Sequence, residues 1–145
     1  MAGESPKHSV SVAGVTVRRD GRILTVRRAD NGAWEPPGGV LELDEEPQTG
    51  VAREVFEETG IKVAIGELTG IYKNMKLGVV ALVFRCEPSA GTERTSSEST
   101  AVAWLTPDEV QERMSEVFAI RVLDALTGNG PQVRSHDGKR LIPAG

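Results

Sequence analysis

A chain of 145 residues, 39% hydrophobic and 26% charged, reads as one ordinary domain with enough apolar content for a real core. Its net charge of −4 removes any broad electrostatic reason to bind duplex nucleic acid or an anionic membrane, and its longest apolar run, Leu77 to Phe84, is too short to span a bilayer. One cysteine, Cys86, accompanied by two histidines, His8 and His136, excludes an intrachain disulfide and a cysteine-rich zinc site.

Residues 1–7 read as a loose, flexible polar terminus, and MAGESPKHSV carries no apolar core of a secretory signal, so a cytoplasmic location is expected. The alternation of SVSVAGVTV predicts a strand, Asp20-Gly21 a hairpin turn, and RILTVRR (Arg22 to Arg28) the returning strand. After the Asn31-Gly32 turn come Trp34 and then Pro36-Pro37-Gly38-Gly39, a combination of fixed and permissive backbone that predicts a shaped loop. A helix is expected from Pro47 to Thr59, with acidic residues at its positive end and Gly60 as its C-terminal cap. Strands follow at Ile61 to Lys73 and Leu77 to Glu87, the second apolar enough to be central. Residues 88–99 read as a mobile Ser- and Thr-rich loop, and Thr100 to Leu105 as a short strand holding Trp104. Thr106-Pro107-Asp108-Glu109 spells a capping box, Ser115 to Leu126 a second amphipathic helix, and the basic tail around Arg134, His136, Lys139 and Arg140 a small surface hairpin about Asp137-Gly138. This order of elements implies an α/β or α+β domain.

The chemistry is concentrated in GVLELDEEPQTGVAREVFEETGI, Gly39 to Ile61. On its helix Gln48, Val51, Ala52, Val55 and Thr59 share the packing side, while Glu54, Glu57 and Glu58, at offsets of three and four, stack on nearly the opposite side. Stacked like charges repel, by roughly 0.2–0.5 kcal/mol per pair. A solvated acidic face and a cation-binding face are both compatible with that spacing. Gly50, one turn before Glu54, costs about 1 kcal/mol against alanine in a helix interior and hints at a close approach.

The spelling G-x5-E-x7-R-E-U-x-E-E-x-G-U (U apolar), carried by Gly39, Glu45, Arg53, Glu54, Val55, Glu57, Glu58, Gly60 and Ile61, resembles the signature of the Nudix hydrolase family at every specified position. The preceding Pro-Gly-Gly and the flanking strands agree. The resemblance implies a Nudix fold, an α/β/α sandwich with a mixed β-sheet, over residues 8–128, with residues 129–145 as a tail whose small hairpin packs on the domain. It implies hydrolysis of the pyrophosphate link of a nucleoside diphosphate derivative, a triphosphate or a nucleotide sugar, by water attack at phosphorus. A non-catalytic nucleotide-binding regulatory module is the competing class, against which the complete set of carboxylates speaks. Oxygen ligands suit Mg²⁺ or Mn²⁺ rather than a soft metal. By resemblance Glu54, Glu57, Glu58 and the Gly38 carbonyl are the ligands, and Arg53 holds glutamates through bidentate hydrogen bonds. Glu45 supports the loop or simply complements the helix dipole.

Glu98, six residues before Trp104, matches the spacing of an additional family glutamate that binds a further metal or activates water, so Glu98 and Glu57 are both candidates for the general base. For substrate, Gly39, Arg27 and Trp34 are the candidate contacts: strand alternation lets only one of Arg27 and Arg28 face the site, and Trp34 could stack on a base. Tyr72 and Phe118 read as core. The residues that sort relatives by substrate are absent, including any Asn between Ala101 and Gly128 that could read an oxidised guanine. A small nucleotide is the expected partner, with neither membrane nor duplex nucleic acid, and a homodimer is compatible with the resemblance.

Overall fold

A computed structural model describes residues 3–144; the readings made for Met1, Ala2 and Gly145 lie outside them. Period-2 alternation at the centre of the chain explains the architecture. In β1 (Ser9–Thr16), Ala13 and Val15 join one apolar cluster and Val12 another. In β6 (Val79–Gly91), Ala81 and Val83 join the first and Phe84 and Cys86 the second. A sheet that is apolar on both faces needs a cover on each. Val51 and Val55 of α1 (Pro47–Thr59) cover one; Val110 of α2 (Pro107–Arg113) and Ala119, Val122 and Ala125 of α3 (Glu116–Thr127) cover the other. Gly14 lies under α1, where an added Cβ would stand 3.0 Å from Val55 and 3.1 Å from Val51. The result is an α/β/α arrangement around a mixed sheet.

That sheet has six strands in the order β4-β1-β6-β5-β8-β9, with β4 at Gly38–Val40, β5 at Ile61–Asn74, β8 at Gln132–His136 and β9 at Leu141–Ile142. β1 runs parallel to β6 and β5 parallel to β8, while the other neighbours are antiparallel. A second sheet of three strands, β3-β2-β7, joins Trp34–Glu35, Ile23–Arg28 and Ser99–Leu105. No helix among the described residues is long and apolar enough to cross a membrane.

α1 has Pro47 in its first turn and Gly60 as a left-handed cap with φ 77°. The Thr106/Glu109 capping box closes reciprocally, at 3.2 and 3.0 Å. Four departures have physical causes. Gly38 and Gly39 belong to a strand, β4, rather than a loop, because they pair with Ala13 and Val12. β6 continues past Pro88 to Gly91, since Pro88 sits opposite Val63 at a bulge, where a missing N–H is tolerated. The segment expected to be mobile is tied to the end of α1: Arg94 donates to the Phe56 and Glu57 carbonyls, and Ser99 Oγ to the Glu58 carbonyl at 3.0 Å. The tail is not a surface hairpin alone, because β8 extends the main sheet and buries His136.

Candidate active site

Arg53 gathers the acidic stretch. Its Nε and Nη2 donate to the two oxygens of Glu45 at 2.7 and 2.8 Å, a fork-on-carboxylate pair that a lysine could not make. Its Nη1 donates to Glu54 at 2.8 Å and, more loosely, to Glu57 at 3.4 Å, and Nη2 reaches the Val40 carbonyl at 3.3 Å. One guanidinium thus joins the helix, the loop before it and the end of β4. The pairing with Arg53 holds the Glu45 carboxyl down at about 2. Glu45 also accepts the Glu42 N–H at 3.1 Å, so it both supports the loop and anchors the arginine.

Three glycines make this closeness possible. Cβ atoms at Gly39 and Gly50 would stand 2.6 Å from the Glu54 carboxylate and 2.7 Å from Leu41, and one at Gly38 would overlap the β1 backbone. β4 therefore lies directly over the helix, and Glu54 is only 9% exposed instead of facing solvent opposite the packing side. Gln48, assigned to the packing side, is exposed at the first turn, where nothing covers it. The Gly38 N–H donates to Glu58 Oε2 at 2.7 Å. Burial, reinforced by the neighbouring carboxylates Glu54, Glu98 and Glu35, nevertheless pushes Glu58 up to about 8. Burial also raises Glu54, against the opposing pull of Arg53.

Glu54, Glu58 and Glu98 line one cleft of about 610 Å³ together with Gly38, Gly39, Arg28 and Arg53. Among the described residues no three acidic, histidine or cysteine side chains stand in closed metal-ligand geometry. Glu54 is turned to Arg53, Glu58 to Gly38, and Glu57 lies outside the cleft with a side chain 58% exposed. The donor set is all oxygen, and Glu58, its most strongly raised carboxyl, forms no ion pair among the described residues. That chemistry fits a hard divalent cation.

Two candidate contacts lie elsewhere. Arg28, not Arg27, lines the cleft; Arg27, on the opposite face of β2, instead donates to the Gly32 carbonyl at 3.1 Å. Trp34 packs against the core cluster beneath α2 and α3 and lines neither cleft described here. The second cleft, about 320 Å³, adjoins the first through Arg28, Gly38 and Gly39 and is lined farther in by Glu35, Phe118, Arg121 and His136. Sequence reading missed Glu35 and Arg121 and left His136 on the surface. One signal was available: Arg121 lies four residues from both Val117 and Ala125, on the packing side of α3.

The NUDIX domain family model matches residues 7–126. A MutT-like protein of Streptomyces ambofaciens is 76% identical over 144 residues, covering 99% of this chain and 94% of the relative. A CTP pyrophosphohydrolase of Escherichia coli K12 is 30% identical over 122 residues, covering 81% and 90%. Among solved structures, a NUDIX hydrolase from Nitrosomonas europaea superposes with a TM-score of 0.78 at 21% identity, covering 92% of this chain and 82% of that one, a likeness of fold.

Proposed function

This chain belongs to the Nudix family and is a pyrophosphohydrolase, and from that premise we propose that it hydrolyses the pyrophosphate link of a nucleoside triphosphate or nucleotide sugar with Mg²⁺ or Mn²⁺. The observation that carries this reading is the meeting of Glu54, Glu58 and Glu98 in one cleft, with burial holding the first two carboxyls above their ordinary range. A polyanionic substrate would be repelled from such a cleft unless cations entered with it. The name of the relative that acts on CTP supports a nucleoside triphosphate.

Glu54, Glu58 and the Gly38 carbonyl would hold the cation from within the cleft, and Glu57, outside it on the same helix, would join them on turning away from Arg53. When bound, the cation neutralises charge between carboxylates and phosphates and makes a water a competent nucleophile at neutral pH. Arg53 positions: by clamping Glu45 and Glu54 it fixes the carboxylate face relative to β4. Arg28, held by Asp30 at 2.6 Å and Glu35 at 3.3 Å, brings a positive charge to the cleft wall where a phosphate would lie. Glu98 takes the proton of the attacking water. Its backbone is fixed by the Ala29 N–H on its carbonyl at 2.9 Å and by its own N–H on Ser96 Oγ at 3.1 Å, so the carboxylate is presented from a shaped turn. Glu57 is the other candidate base.

The test is a panel of nucleoside triphosphates and nucleotide sugars incubated with Mg²⁺ or Mn²⁺, with products identified. Turnover of at least one member is expected, abolished by Glu58→Gln or Glu57→Gln. Glu98→Gln is expected to lower kcat by about 10²-fold or more, in the range of a lost general base. A near-normal rate in that variant would return the base role to Glu57, and nucleotide binding without any turnover would overturn the proposal.

A further inference from the structure

The second cleft contains two buried donors, Arg121 Nε and His136 Nε2, that have no acceptor among the described residues. Arg121 is 8% exposed, and its guanidinium forms no hydrogen bond or ion pair among the described residues; its Nε is fully enclosed without a partner. The rings of Phe118 and Tyr72, with centroids 4.8 and 5.2 Å from its Cζ, hold the planar group in place. The Tyr72 hydroxyl donates to Asp124 at 2.7 Å, and among the described residues it accepts nothing from Arg121. His136, 3% exposed, accepts the Gly138 N–H on Nδ1 at 3.0 Å. That leaves the proton of the neutral imidazole on Nε2, which is also buried and unpartnered. Burial, assisted by the Arg121 charge, favours this neutral form. A buried cation without a partner is costly, and so is an orphaned N–H. Both are intelligible if the partner is a ligand.

The rest of the wall narrows what that ligand is. Glu35, mostly covered, is an acceptor in the same cleft, occupied only by Arg28 at 3.3 Å among the described residues. Phe118, Val79 and Ala81 add apolar wall, beside the polar side chains of Ser11 and Asn74. Two donors, one acceptor and apolar walls match the edge and faces of a nucleobase. The donors call for a carbonyl oxygen, which offers two lone pairs in one place. Cytosine, uracil and guanine have one; adenine presents an amino group instead.

We infer that this cleft reads the base of the substrate, taking a carbonyl-bearing nucleobase in preference to adenine, with Arg121 and His136 as donors to the base and Glu35 as acceptor of its amino or ring N–H. The inference rests on the neighbouring carboxylate cleft being the pyrophosphate site, since Arg28, Gly38 and Gly39 join the two.

The experiment uses the intact chain without metal, so that no turnover is involved. CMP, UMP, GMP, AMP and inorganic phosphate are titrated while the arginine Nε–H resonances are followed by ¹H–¹⁵N NMR. At least one of CMP, UMP and GMP is expected to bind about tenfold or more tightly than AMP and to shift the Arg121 resonance, because a site built to hydrogen-bond rejects an analogue lacking the group. Phosphate alone should leave that resonance in place. Arg121→Met, which keeps the volume, should erase the preference without lowering thermal stability, since it removes an unpaired buried charge. His136→Phe serves as the second variant and should weaken the same preference. Equal binding of all four nucleotides, an Arg121 shift with phosphate alone, or a preference that survives Arg121→Met would overturn the inference. Base preference in a protein that turns nothing over would instead overturn the proposed reaction and leave this inference standing.

Discussion

At the scale of single residues, Arg53 and Gly39 matter through what they hold in place. A Cβ on Gly39 would stand 2.6 Å from all three carboxylate atoms of Glu54, and Arg53 pins Glu54 from the other side at 2.8 Å. The Glu54 head would have to move by an ångström or so. Gly39→Ala is therefore expected to fold but to lose about 10²-fold in kcat/KM, the usual scale for such a misplacement, as steady-state kinetics beside a thermal melt would show. Glu45 allows a different check. Its folded carboxyl sits at about 2, below the ordinary value of 4.5, so its contribution to stability is fully present above the ordinary value and is lost as pH falls through the folded one. Glu45→Gln should unfold at lower urea than wild type at pH 7. The gap between the two should narrow from about pH 4.5 downward; a gap independent of pH would mean that the charge on Glu45 is not what Arg53 needs.

Glu54, Glu57 and Glu58 were legible because they lie on one helix, where offsets of three and four residues translate directly into proximity. Arg121, His136 and Glu35 were not, although they line one cleft. They come from α3, β8 and β3, and no local spacing encodes the parallel register that places His136 opposite Asn74. Arg28 was missed for a smaller reason: alternation puts Arg27 and Arg28 on opposite faces of β2, but it does not say which face meets the cleft, and that depends on how β2 sits between β3 and β7.

At the scale of elements, both α2 and the turn carrying Glu98 depend on local polar closures. Thr106 caps α2 through the Glu109 N–H at 3.2 Å, and the Glu109 carboxylate returns to the Thr106 N–H at 3.0 Å. Thr106→Ala removes half of that box and should cost about 1 kcal/mol in a urea titration, with little effect on turnover because α2 lies outside the carboxylate cleft. Ser99 has the opposite character. Buried and hydrogen-bonded to the Glu58 carbonyl at 3.0 Å and to Ser96 Oγ at 3.0 Å, it fastens the turn bearing Glu98 to the last turn of α1. Ser99→Ala is expected to lower kcat more than it lowers stability. Hydrogen exchange at residues 94–98 should rise in that variant; unchanged exchange would show that Arg94 alone anchors the segment.

At the scale of the whole molecule, the strands beyond the family match complete the structure. The matched region ends at residue 126, yet β8 pairs with β5 and carries His136 into the second cleft. What fastens β8 to the helical layer is a buried network. Asp124 of α3, 5% exposed, accepts two hydrogen bonds from Arg134 at 2.8 Å each and one from the Tyr72 hydroxyl at 2.7 Å. The two donors differ in what their loss leaves behind. Tyr72→Phe removes one neutral donor and keeps the ion pair, so a loss of about 1 kcal/mol is expected. Arg134→Met leaves a carboxylate buried with only a hydroxyl. An intact buried pair would cost 3–5 kcal/mol to break, but Arg134 is one-third exposed and water can partly replace it, so about 1–3 kcal/mol is expected. Urea unfolding of the two variants tests that order. Arg134→Met should also blunt the nucleobase preference, because the strand it fastens is the one that positions His136, whereas Thr106→Ala should not. If Tyr72→Phe proved the more damaging change, the network would owe its strength to the hydroxyl, and β8 would be held by its backbone pairing to β5 rather than by its charge.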